Sequence, residues 1–197
     1  MIYYLKYVLI QEESLSMKNK TIIINLFGAP CSGKSTVASY LFYKLKTIGY
    51  KCELVTEFAK DKTYENNETA LSDQIFMFAN QNYRINQIIK NENLSFIITD
   101  SPLLLNIIYN KDTYVDRKLN ELVKAVFDSH NNFNIFLTRG EDYQTYGRNQ
   151  TKEEADLISY DIFHKFYNNI DFITEKERIE DDFSEILRKI TNRGIVE

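Results

Sequence analysis

The chain is 197 residues long, enough for one domain with a full hydrophobic core. Its 44% apolar and 26% charged residues are ordinary for a soluble globular protein, and a net charge of −4 argues against a dedicated duplex-DNA-binding module. Two cysteines, Cys31 and Cys52, argue against a disulfide scaffold and fit a reducing cytoplasm.

The opening MIYYLKYVLI contains Lys6 and runs into Gln11-Glu12-Glu13. It is too short to span a bilayer and has no small-residue cleavage site. Residues 1–16 therefore read as a leader, appended to the domain or disordered, and 17–197 as the domain, with Met17 a second possible start. Residues 21–27 (TIIINLF) form a β-branched run of the kind that makes a strand buried on both faces.

The next nine residues are Gly28-Ala29-Pro30-Cys31-Ser32-Gly33-Lys34-Ser35-Thr36, with the pattern G-x-x-x-x-G-K-S. The glycines allow backbone N–H groups to converge into a nest for phosphate oxygens. Lys34 can reach the outer phosphates, and Ser35 can place its hydroxyl on a magnesium ion. Cys31 holds a spacer position and reads as filler rather than nucleophile. Residues 36–48 place Val37, Leu41, Leu45 and Ile48 at helical spacing before Gly49. The loop thus joins a buried strand to a helix N-terminus, where an anion is favoured.

Residues 51–56 read as a second strand, ending at Glu57 in VTEFAKD. A carboxylate there could take a proton from an acceptor hydroxyl, with Asp61 and Glu65 as rivals for that role. Residues 68–90 read as one long helix with Leu71, Ile75, Phe78, Ile85 and Ile88/Ile89 on its apolar face. Gln74, Met77, Gln81 and Arg84 form a second stripe that could read a base edge and a phosphate, although such stripes are more often solvated.

Residues 94–99 predict a third strand, capped by Asp100-Ser101-Pro102, and Asp100 is placed to hold magnesium. A helix is expected over 114–128, with Leu119, Leu122, Val123 and Val126 on one face. A fourth strand is expected over 133–138. Arg139 and Arg148 bracket the polar segment TRGEDYQTYGRNQ, where a closing flap could neutralise charge at a γ-phosphate and exclude water. Thr151 and Glu154 read as a capping box opening a helix to about 167. A fifth strand is expected over 169–173 and a last helix over 182–191. His130 and His164 read as structural. Strands alternating with helices define an α/β fold with a parallel sheet, whose ligands bind at the carboxyl edge.

With these residues in place, the chain resembles the P-loop nucleoside and nucleotide kinases, and within them the nicotinamide riboside kinase-like group, which includes small phage-encoded kinases. The likeness spans most of residues 17–190. It lies in GAPCSGKST, VTEFAKD, the DQ…ANQNYR helix, the strand ending ITDSP, and GRNQTKEEAD. It implies a P-loop NTPase three-layer α/β/α fold of the NMP-kinase kind, with a mainly parallel five-stranded sheet. It also implies ATP and Mg2+ as cofactors, Lys34 and Ser35 at phosphate and metal, Asp100 near the metal, Glu57 near the acceptor, and Arg148 in a lid. The chain departs from the bifunctional members in having no adenylyltransferase domain attached.

The expected activity is transfer of the ATP γ-phosphoryl group to a hydroxyl or phosphate of a small nucleoside-like acceptor. The expected setting is cytoplasmic, without membrane, and compatible with a homodimer. One rival is a kinase acting on DNA or RNA, disfavoured by the acidic charge balance. The other is a regulatory P-loop NTPase that only hydrolyses. Asn110-Lys111-Asp112-Thr113 misses the guanine-reading N-K-x-D spacing by one residue, and an AAA-type motor would need a separate helical lid domain.

Overall fold

The computed structural model describes residues 21–91, 93–110, 113–140 and 151–193, with position 91 described by its backbone alone. The leader, residues 111–112 and the segment containing Arg148 lie outside the described residues. Five strands, β1 (Ile22–Phe27), β2 (Cys52–Val55), β3 (Phe96–Thr99), β4 (Asn131–Thr138) and β5 (Phe172–Glu175), form one sheet in the order β2-β3-β1-β4-β5. Every pairing is parallel, as the strand–helix alternation predicts.

β1 holds the centre, and all six of its residues are buried. Its alternation sends Ile22, Ile24 and Leu26 to one face. There they meet Val37, Leu41 and Leu45 of α1 (Lys34–Thr47) and Ile179, Ile186 and Ile190 of the C-terminal helix. Ile23 and Phe27 point to the other face, against helices contributed by the middle of the chain. Each such side chain, fully buried, contributes about 1.5–3 kcal/mol, and the two faces together make a three-layer α/β/α sandwich.

The helices after α1 are α2 (Phe58–Tyr64), α3 (Glu68–Ser72), α4 (Gln74–Asn91), α5 (Asn106–Tyr109), α6 (Tyr114–Asp128), α7 (Lys152–Phe166) and α8 (Ile179–Thr191). α1 ends as its Gly49 predicts. Gly49 has φ +96°, its N–H donates to Lys46 O and the Tyr50 N–H to Leu45 O, which is the Schellman pattern. α7 opens with the expected reciprocal box between Thr151 and Glu154.

Several expectations need correction. The single helix over 68–90 is two, broken at Asp73. The Asn67 side chain caps α3, and Asp73, in an extended conformation, accepts from the Phe76 N–H at 3.0 Å to start α4. Ile75, in the first turn of the second helix, is 54% exposed rather than core. Leu122 likewise is exposed, the buried face of α6 being Leu119, Val123 and Phe127. β5 starts three residues later than expected. A 3-10 turn over Tyr167–Asn169 delays the chain, and the ladder opens with Ile135 opposite Phe172. The last helix starts at Ile179 rather than at 182, and a short helix, α2, follows Glu57 directly.

Candidate active site

The strand β1 delivers the chain to Gly28 at the carboxyl edge of the sheet, where ligands of open α/β sheets bind. Gly28 has φ +149°, and a Cβ there would lie 2.4 Å from Ser32 Oγ and 2.9 Å from the Leu137 carbonyl oxygen. Gly33 has φ +84°, and a Cβ there would run into the aliphatic stem of Lys176 at 2.8 Å. Cys31 adopts φ +66°, so the turn is tight throughout. α1 then begins at Lys34 with no side-chain cap and no acidic residue in its first turn. Its first N–H groups and the positive end of its dipole are directed at whatever the loop holds.

Lys34 Nζ donates to the carbonyl oxygens of Gly28 and Ala29 at 2.8 and 2.9 Å, which lays its ammonium across the loop. Ser35 Oγ donates to Asp100 Oδ2 at 2.8 Å. Asp100 follows β3 and is only 4% exposed. Its second oxygen, Oδ1, and the buried Ser32 Oγ have no hydrogen-bond partner among the described residues. A buried carboxylate oxygen without a donor is costly. A hydroxyl and a carboxylate held together beside a phosphate nest fit a magnesium ion, which takes one or two protein oxygens and completes its shell with water and phosphate. Among the described residues no cluster of three or more His, Cys, Asp or Glu side chains offers a different metal site.

One cavity of about 300 Å³ extends from this loop between α2, α4 and α5. Pro30, Cys31, Gly33, Lys34, Ser35 and Thr36 bound it on the loop side. Glu57, Phe58, Gln74, Met77 and Gln81, all anticipated or adjacent to anticipated positions, bound it across the gap. Gln81 is 3% exposed, and its Oε1 accepts from the Phe58 N–H at 2.9 Å. That bond caps α2 from a distance and orients the Glu57 turn.

Two other sequence candidates are drawn elsewhere. Arg84 is ion-paired with Asp61, donates to the Thr56 carbonyl at 3.2 Å and lies over the Phe58 ring at 5.0 Å. It does not line the cavity. Asp61, a rival to Glu57, is occupied by the same pair. Arg139, its side chain 5% exposed, is ion-paired with Asp156 and reaches the Lys152 carbonyl at 3.4 Å, so it braces the start of α7. Arg148 lies outside the described residues.

The structure adds residues that the sequence reading passed over, namely Ser101, Leu105, Asn106 and Tyr109. Asn106 and Tyr109 sit three apart on α5 and share a face. The signal was present as two polar-tipped residues at helical spacing in the apolar run LLLNIIYN directly after Asp100. Tyr109 is 45% exposed as a whole residue. Its hydroxyl nevertheless feels both burial and the Glu57 carboxylate, which push the phenol up to about 12.

The glycine nest after a central strand, the Ser35–Asp100 pair beside it and the parallel order around them define the P-loop NTPase fold of the nucleoside and nucleotide kinases. Residues 23–181 match the family described as AAA domain, and the chain belongs to that family. No curated protein matches by sequence. Among solved structures, a NadR protein in complex with NAD and AMP-PNP is similar over 99% of this chain, at TM-score 0.63 and 12% identity. This chain spans 59% of that one. Thymidylate kinase from Ehrlichia chaffeensis matches over 85% of this chain and 98% of its own, at TM-score 0.59 and 18% identity. Deoxyadenosine kinase from M. mycoides with bound dATP matches over 86% and 99%, at TM-score 0.53 and 19% identity. At such identities the likeness concerns the fold.

Proposed function

We propose that the chain is an ATP-dependent phosphotransferase that moves the γ-phosphoryl group to a hydroxyl or phosphate of a nucleoside-like acceptor. The observation that carries this reading is a continuous cavity bounded by the phosphate loop on one side and by Glu57, Gln74 and Gln81 on the other. A hydrolase or switch needs the loop alone; a transferase needs a second binding surface within reach of it. The names of the similar structures, two kinases and an AMP-PNP complex, support the same reading.

In this reading the loop N–H groups and Lys34 grip the outer phosphates. Ser35 and Asp100 would hold magnesium, which when bound screens phosphate charge. Glu57 orients an acceptor hydroxyl and accepts its proton as the oxygen attacks phosphorus and the bond to the β-phosphate oxygen breaks. The cavity walls hold the acceptor in line, which supplies much of the rate in phosphoryl transfer.

The test is a phosphotransfer screen with ATP and Mg2+ against nucleosides, nucleoside monophosphates, nicotinamide riboside and modified DNA. Lys34→Ala serves as the blank. Transfer to at least one nucleoside-like acceptor is expected. Nucleotide hydrolysis without transfer to any member of the panel would remove the kinase reading.

The cysteines report on the donor end independently. Cys31 is half-buried in the loop and lines the cavity, whereas Cys52 is fully buried and burial pushes its thiol up to about 11. At neutral pH iodoacetamide is therefore expected to label Cys31 and spare Cys52 in the folded chain. A non-hydrolysable ATP analogue with Mg2+ should slow labelling of Cys31. Peptide mass mapping showing no protection would place nucleotide elsewhere.

A further inference from the structure

We propose that the cavity selects an acceptor presenting a hydroxyl rather than a phosphate, a nucleoside and not a nucleoside monophosphate, with Tyr109 as a specificity-determining hydrogen-bonding group beside Glu57. This rests on the phosphotransferase reading above and narrows it.

The first argument is charge. An acceptor phosphate brings a second polyanion against the γ-phosphate, and its site must supply cations to offset the repulsion. The side chain on α4 suited to that task is Arg84, and the structure commits it to Asp61 and the Thr56 carbonyl, outside the cavity lining. Among the described lining residues the charged groups are Lys34, Lys60 and Glu57. Lys34 lies on the loop carbonyls at the donor end. Lys60 is an exposed lysine of α2, a solvated point charge rather than a planar fork for phosphate. Among the described lining residues, what faces the acceptor besides Lys60 is therefore a carboxylate among neutral groups.

The second argument is proton chemistry. The attacking oxygen of a phosphate monoester is already ionised near neutral pH, so a carboxylate beside it gives no help and repels it. A hydroxyl must lose its proton, and a carboxylate in the cavity is what that step needs. Glu57 is held at the start of α2 by the Gln81–Phe58 bond, an investment in geometry that suits a proton acceptor.

The third argument is the opposite wall. Asn106 and Tyr109 come from α5, and Gln74 from α4, all uncharged polar groups interleaved with Phe58, Leu71, Met77 and Leu105. The elevated Tyr109 phenol stays protonated across the physiological range. It is a neutral donor lining the same cavity as the Glu57 carboxylate, able to bridge an acceptor hydroxyl. Apolar walls with a few convergent neutral donors and acceptors suit a flat base and a sugar.

The experiment measures kcat/KM for matched pairs, each nucleoside against its own 5′-monophosphate, using the full chain with ATP and Mg2+. For the best base a nucleoside preference of about 100-fold or more is expected. Tyr109→Phe, which keeps the ring and removes the hydroxyl, is expected to raise the nucleoside KM about tenfold with kcat within about twofold. A monophosphate preference in every pair overturns the proposal while leaving the phosphotransferase reading intact. An unchanged nucleoside KM in Tyr109→Phe overturns the role of that residue. Hydrolysis with no transfer to either member of any pair overturns the underlying reading itself, and the proposal with it.

Discussion

Lys34→Ala is expected to lower phosphotransfer by about 10²–10³-fold, the scale on which removal of one preorganised electrostatic group is felt. The ammonium is held across the loop by two backbone carbonyls at 2.8 and 2.9 Å, so its position is fixed by the loop and not by a flexible stem alone. In phosphoryl transfer the protein mainly positions groups and stabilises charge, so losing that fixed cation removes rate directly. Steady-state rates at saturating acceptor, together with nucleotide affinity by calorimetry, measure the effect. A variant turning over within threefold of the parent would take Lys34 out of the transfer step.

Glu57→Gln carries the second large effect, a fall of about 10²–10⁴-fold in transfer to a hydroxyl acceptor with ATP binding retained. The substitution is nearly isosteric. Glu57 stands at the N-cap position of α2 with φ −63° and ψ 122°, yet its side chain makes no cap bond. The first N–H of the helix is instead taken by Gln81 at 2.9 Å. The amide should therefore leave the turn intact, and a melting temperature within a few degrees of the parent separates lost chemistry from lost fold. Glu65 is ion-paired with Lys62 and does not line the cavity, so transfer at the parental rate would move the base to a group outside the described residues.

The donor end was legible because it is local. The turn needs its glycines at fixed places, the strand before it is uniformly apolar, and the helix after it repeats Val37, Leu41 and Leu45 on one face. Asp100 could be placed because strand ends in a parallel sheet share one edge, and the structure sets it in hydrogen-bond contact with Ser35. The cavity wall opposite the loop was less legible because it is assembled from distant segments. The fate of Arg84 turned on Asp61, which faces it only because α2 exists and packs against α4. The cavity wall at Asn106 and Tyr109 sits in a run dominated by Leu and Ile, where the spacing of two polar-tipped residues was the one signal. The break at Asp73 was hidden by an apolar repeat that continues across it, since a side-chain cap competes with helix propagation without disturbing the pattern.

Gly33 rests against the stem of Lys176, in the turn that follows the last strand. The loop's neighbour on that side is therefore synthesised long after the loop itself, and Asn25 of β1 bonds to Asn134, 109 residues later. On the ribosome the glycine-bracketed stretch emerges early, well before the strands and the turn that hold it in shape. Chains that stop short of Lys176 carry the motif without its supports, so nucleotide affinity should mark chains extended past that turn rather than shorter ones.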